Sequence, residues 1–132
     1  MKALDTNIII RFLINDDIKQ GERVKALFLK AEKNSDSFFV SYAVILEVLY
    51  VLDSVYSFSR ADILNALDSL LSMSVLSFEQ TGAVQALISF GKKSLIELED
   101  LFIGLIAKES GCDKTITFDK KAAKSELFEF LG

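Results

Sequence analysis

Short apolar runs, each the length of a minimal strand, alternate along this chain with stretches long enough for helices, and that alternation restricts its fold. Lys2–Leu4, Phe38–Val40, Val75–Phe78 and Thr115–Phe118 read as strands, with Leu127–Leu131 as a last edge strand. Between them, Ile8–Leu13 reads as a short helix and Asp16–Lys33 as an amphipathic one, with Val24, Leu27 and Phe28 at helical spacing. Ser41 caps an apolar helix running to about Tyr56, and Ser59, with Asp62 three residues on, caps the next. Thr81–Lys93 and Glu97–Glu109 follow, the latter closed by Ser110-Gly111, and Lys120–Lys124 is a short helix after Asp119. Strands separated by helices pair in parallel, so the expected fold is α/β: a three-layer α/β/α sandwich with a short, mostly parallel sheet. The 132 residues, 51% of them hydrophobic, suffice for one domain, 1–132, with no linker or repeat.

Missing residue types narrow the chemistry. With no histidine, Ser-His-Asp and Cys-His nucleophile systems and histidine metal sites are excluded. Cys112 is the only cysteine, so neither an internal disulfide nor a thiolate zinc site can form. The longest apolar stretch, Phe38 to Leu52, is broken by Ser41 and Glu47 and is too short to span a bilayer. No signal-peptide pattern opens the chain, so a cytoplasmic protein with no membrane role is expected. The net charge of −4 disfavours a protein that simply coats nucleic acid. Locally, Lys19, Arg23, Lys25, Lys30 and Lys33 outnumber Glu22 and Glu32, which reads as a solvated helix face first and a phosphate-meeting patch second.

Four acids stand where chemistry is plausible. Asp5 and Asp119 each follow a predicted strand, at the carboxyl edge where open α/β sheets bind ligands, although each also reads as a helix cap. Asp100 sits with Glu97 and Glu99 in a first helical turn, where negative charge complements the dipole. Glu47 is the one charged residue between Phe38 and Leu52, so it is expected to be buried and to need a cation, either a basic side chain or a metal. Four converging carboxylates would repel one another unless a multivalent cation joined them, and oxygen-only ligation selects Mg²⁺ or Mn²⁺.

These residues resemble the motifs of the PIN domain family, and more closely its VapC-like toxin nucleases. Leu4-Asp5-Thr6-Asn7-Ile8 is similar to the first acidic motif, and Glu47 within Val44–Leu52 to the second. Asp100-Leu101-Phe102-Ile103-Gly104-Leu105-Ile106-Ala107, then Gly111 and Thr115-Ile116-Thr117-Phe118-Asp119, resemble the third and fourth. The likeness covers the whole chain, with two departures. Gly104 stands where alanine is commoner, which should weaken the helix slightly, and Phe118 stands where an arginine is frequent.

The resemblance implies a Mg²⁺- or Mn²⁺-dependent ribonuclease, the toxin of a type II toxin–antitoxin pair. Asp5, Asp100, Asp119 and Glu47 would be its catalytic and metal-holding residues. Thr6, Asn7 and Thr117 would orient them, though the same three residues also read as ordinary helix-start and strand-end hydrogen-bonding groups. Lys120, Lys121 and Lys124 read as a solvated face. The implied partners are an RNA (tRNA, rRNA or mRNA), a cognate antitoxin whose tail blocks the acidic pocket and a segment of which binds in a groove lined by some of the phenylalanines, and a second copy in a homodimer. Two rival readings remain: a PIN nuclease of RNA processing, and a non-catalytic interaction module whose acids are only caps and ion pairs. A phosphoacceptor receiver domain is disfavoured, because Asp16 and Asp17 lie too far past the first strand and Asp53 follows a helix.

Overall fold

Local capping chemistry sets most of the element boundaries in the computed structural model, which describes residues 1–132. Strand β1 (Lys2–Ala3) leads through Leu4 to Asp5, whose extended backbone and carboxylate start α1 (Thr6–Leu13). Asp17 caps α2 (Ile18–Lys33) by accepting from Gln20 N at 3.0 Å. After β2 (Phe38–Val40), Ser41 Oγ accepts from Val44 N and starts α3 (Tyr42–Ser54). Ser59 Oγ does the same from Asp62 N for α4 (Arg60–Leu71). Then come β3 (Leu76–Phe78), α5 (Thr81–Gly91), α6 (Leu98–Glu109), β4 (Thr115–Thr117), a 3₁₀ turn (Ala122–Lys124) and β5 (Phe128–Phe130). At the end of α6, Gly111 takes φ +96°, and the amides of Gly111 and Cys112 return to the carbonyls of Lys108 and Ala107. This is the Schellman closure that the Ser110-Gly111 pair predicts.

Every strand pairing is parallel. Strand β2 lies between β1 and β3, with Lys2 opposite Phe38 and Val40 opposite Phe78. Strands β4 and β5 form a separate ribbon, with Thr115 opposite Phe128 and Thr117 opposite Phe130. The fold is therefore α/β with six helices and short parallel pairing. The strands are only two or three residues long, so they form a three-stranded and a two-stranded piece instead of one continuous ladder.

The core is one cluster of 29 buried apolar residues, so both pieces of sheet pack into a shared interior. Helix α3 gives it Val44, Ile45, Val48, Leu49 and Leu52, and α6 gives it Leu101, Phe102 and Leu105. Tyr42 meets fully buried Phe102 edge to face at 5.4 Å, locking α3 against α6. No helix is long and apolar enough to cross a membrane.

Candidate active site

Because the strands run parallel, residues just past β1 and β4 fall at strand carboxyl ends, and Asp5 and Asp119 occupy those positions. Asp5 is exposed, and its Oδ1 accepts from Thr6 N at 2.7 Å. Thr6 is the single buried polar residue of the chain, at 8% exposure, and its hydroxyl donates to Glu47 Oε1 at 2.9 Å. Asp5, Thr6 and Glu47 thus form one chain of contacts from the start of α1 to the middle of α3.

Glu47 corrects one expectation. It is exposed, not buried, and no basic side chain pairs with it. Helix α3 turns Val44, Ile45, Val48 and Leu49 inward, while Ala43, Glu47 and Tyr50 share the uncovered flank. The burial argument for a neutralising partner therefore lapses, and the question becomes what faces the exposed carboxylate.

Asp100 and Asp119 form a second pair. Partial burial, then the charges of Asp119 and Glu97, push the Asp100 carboxyl above the usual aspartate range. Its side chain accepts no hydrogen bond, although it sits in the first turn of α6. Asp119 Oδ1 accepts from Lys121 N and Ala122 N at 2.9 and 3.1 Å, so its cap role is real. Thr117 Oγ1 accepts from Asp119 N at 3.0 Å, which fixes the turn that carries the carboxylate. Lys120, Lys121 and Lys124 are exposed, and Lys120 lies 5.9 Å from the Phe130 ring centre. Asn7 is exposed on the first turn of α1.

The single ion pair of the protein joins Arg11 to Asp16, so none of Asp5, Glu47, Asp100 and Asp119 is paired with a cation. Glu79 and Glu109 are likewise without a cation and are engaged by Tyr42, which donates from its backbone N to Glu79 at 3.0 Å and from its hydroxyl to Glu109. Burial, followed by the Glu109 contact, holds that phenol protonated well above its ordinary range. Asp5, Glu47, Asp100 and Asp119 offer only carboxylate oxygens, the donor type that hard divalent cations take.

A third acidic group escaped the sequence reading. Asp53, Glu97 and Glu99 have carboxylate oxygens within 4.8 Å of one another and line a small pocket with Arg60. Burial first, then the Asp53 charge, raises the Glu99 carboxyl. Arg60 donates to the carbonyls of Gly91 and Ile96 at 2.6 and 2.7 Å and lies in electrostatic reach of Glu97 and Glu99. The Arg60 guanidinium reaches two of the three acids electrostatically without an ion pair, and its bonds to Gly91 and Ile96 anchor the α5–α6 connection. The four predicted acids come no closer than two linked pairs: no three of them have ligand atoms within 4.8 Å.

Comparison with known proteins bears on the same residues. A curated relative from Aquifex aeolicus (strain VF5), named VapC ribonuclease, is 25% identical over 124 residues, covering 94% of this chain and 91% of its own. No solved structure matches. The family description "PIN domain" matches residues 2–126, a span that includes Asp5, Glu47, Asp100 and Asp119, and the chain belongs to that family.

Proposed function

We propose that this protein is a Mg²⁺- or Mn²⁺-dependent endoribonuclease that acts in the cytoplasm as the toxin of a toxin–antitoxin pair. One observation carries the reading: all four acids stand within the span matched by the PIN domain family, where Thr6 bonds both Asp5 and Glu47 and the Asp119 charge reaches Asp100. The likeness to a protein named VapC ribonuclease supports the substrate class.

In this reading Asp5, Asp100 and Asp119 hold the cation, and Glu47 ligates it or orients a water. When bound, the cation supplies charge neutralisation at the phosphodiester and an attacking water of lowered pKa. Thr6 holds Glu47 through its hydroxyl and Asp5 through its amide, and Thr117 sets the turn bearing Asp119. Asp100 would ligate as its carboxylate, the form that partial burial and the Asp119 charge disfavour and that a bound cation would favour. Attack by water on phosphorus leaves a 5′-phosphate and a 3′-hydroxyl.

An antitoxin segment and a second copy complete the proposal. A groove of about 510 Å³ beside α2, lined by Phe12, Phe28, Leu29, Met73 and Val75 with Lys25 and Glu32, suits an amphipathic antitoxin tail. Exposed Tyr50, Val55 and Phe90 offer apolar surface to a homodimer.

The test is an assay on total tRNA and structured RNA with Mg²⁺ or Mn²⁺, with EDTA, and with Asp5→Asn and Asp100→Asn. Metal-dependent cutting with 5′-phosphate ends, lost in both variants, is the expected result. Cutting that survives EDTA and both substitutions would overturn the reading.

A further inference from the structure

Between α1 and α2 lies a cleft of about 200 Å³ lined by Asn7, Ile8, Arg11, Gln20, Arg23 and Val24. Two guanidiniums and two amides surround a floor of two aliphatic side chains, and no carboxylate lines it, although the protein carries a net charge of −4. Asn7 and Arg11 are four residues apart and share one face of α1. Arg11 is held in place: its Nε donates to Gln20 Oε1 at 2.7 Å, and its Nη1 lies 3.6 Å from Asp16 Oδ1. Asp16 is steadied in turn by the Tyr56 hydroxyl at 2.6 Å. Arg23, opposite, is exposed and makes no hydrogen bond or ion pair. One cation is thus pre-oriented and the other uncommitted, in a polar cleft whose wall begins two residues after Asp5.

We propose that this cleft binds a backbone phosphate of the RNA substrate adjacent to the scissile one. The inference rests on the ribonuclease reading and adds a subsite to it. A phosphodiester suits paired guanidiniums and amide donors, which can grip its two free oxygens in a fork. The cleft shares α1 with Asp5: its lining begins at Asn7, and Arg11 stands roughly 9 Å of helical rise beyond Asp5, the placement on which a neighbouring phosphate is assigned to it. Of the five cations between Lys19 and Lys33, only Arg23 reaches this cleft. Lys25 lines the apolar groove with Glu32, and Lys30 lines a third hollow with Asp36.

The experiment compares Arg23→Gln, Arg23→Lys and Arg11→Gln with wild type in cleavage kinetics on structured RNA. Binding of the same fluorescent RNA is read by anisotropy in an Asp5→Asn background across a salt series. Arg23→Gln should raise KM and Kd about tenfold, leave kcat unchanged, and flatten the salt slope by about 0.7. Arg23→Lys should recover part of the loss, and Lys93→Gln, which also removes one charge, should change neither the slope nor KM. Arg11 also braces Asp16 and Gln20, so Arg23 is the cleaner probe should Arg11→Gln fold poorly. Wild-type cutting with unchanged KM, Kd and salt slope in Arg23→Gln would overturn the subsite while sparing the nuclease. If wild type does not cut, the nuclease reading fails and anisotropy alone judges the cleft: weaker RNA binding in Arg23→Gln supports it, and unchanged or absent RNA binding overturns it. Binding of a glutamate-rich peptide that needs Arg23, with RNA binding unaffected, would assign the cleft to a protein partner and also overturn it.

Discussion

The Thr6 hydroxyl donates a 2.9 Å hydrogen bond to Glu47 Oε1, tying the first turn of α1 to the middle of α3 across 41 residues of sequence. Thr6 is buried and Glu47 is exposed, so the hydroxyl orients a carboxylate that is otherwise free to turn into solvent. Thr6→Val keeps the shape and removes the donor. It should lower metal-dependent cleavage about tenfold while costing about 1 kcal/mol of stability or less, because water can satisfy Glu47. Thr6→Ser should restore most of the rate. Kinetics and thermal melts on the three proteins check this, and an unchanged kcat in Thr6→Val would remove Thr6 from the site.

Asp100 sets a pH dependence. Its folded pKa is raised, so the folded state holds the proton more tightly than the unfolded chain, and stability falls as pH climbs from about 3.8 through the folded value. Without metal at neutral pH, Asp100→Asn should therefore be more stable than wild type, by at most about 1 kcal/mol after solvent screening. The difference should vanish in acid. Added Mg²⁺ should reverse the order, since wild type gains more from binding. Melting curves with and without Mg²⁺ at two pH values give the answer, and a wild type indifferent to Mg²⁺ would contradict it.

Gly104 reverses an expectation drawn from helix propensity. Alanine there should favour α6 by up to about 1 kcal/mol. A Cβ at this position, however, would stand 2.8 Å from Phe128 Cε2 and 3.1 Å from Leu127 Cβ. Phe128 is buried on β5, the partner of β4, so room must be made in packed core. Gly104→Ala should destabilise by about 1–3 kcal/mol in urea unfolding. A stabilised variant would mean that β5 yields easily.

Features set by near neighbours were legible in the sequence. Asp5, Ser41, Ser59 and Gly111 act as the caps and the closure they resemble, because a cap contacts amides within three or four residues. The parallel α/β character followed from alternation alone, whereas the division into two ribbons depends on strand pairing between distant segments. Glu47 misled because hydropathy along α3 does not say which flank its neighbours leave uncovered. Arg60 and the Asp53–Glu97–Glu99 triad were invisible for a related reason: they meet where the end of α3, the start of α4 and the α5–α6 connection converge. Of the candidate site, the sequence nominated the acids and Thr6 as a residue that orients them, but not that the Thr6 hydroxyl reaches Glu47 or that the Asp100 carboxyl is raised.

The triad supplies a contrast. It lies outside the family's four acids, so Asp53→Asn should leave cleavage and metal affinity unchanged, and should slightly stabilise the fold by relieving the charge on Glu99. Arg60→Met should cost about 1–3 kcal/mol, because the carbonyls of Gly91 and Ile96 lose their donor. Chemical denaturation of both variants distinguishes this anchor from a metal site; loss of metal binding in Asp53→Asn would move the centre here.

Calorimetric titration of Mn²⁺ into wild type, Asp5→Asn, Glu47→Gln, Asp100→Asn and Asp119→Asn tests the central claim most directly. One shared site predicts saturable binding by wild type, weakened at least tenfold by each substitution at Asp5, Asp100 or Asp119 and measurably by Glu47→Gln. No Mn²⁺ binding by wild type, or binding untouched by all four substitutions, would contradict it and leave these acids as caps of an interaction module.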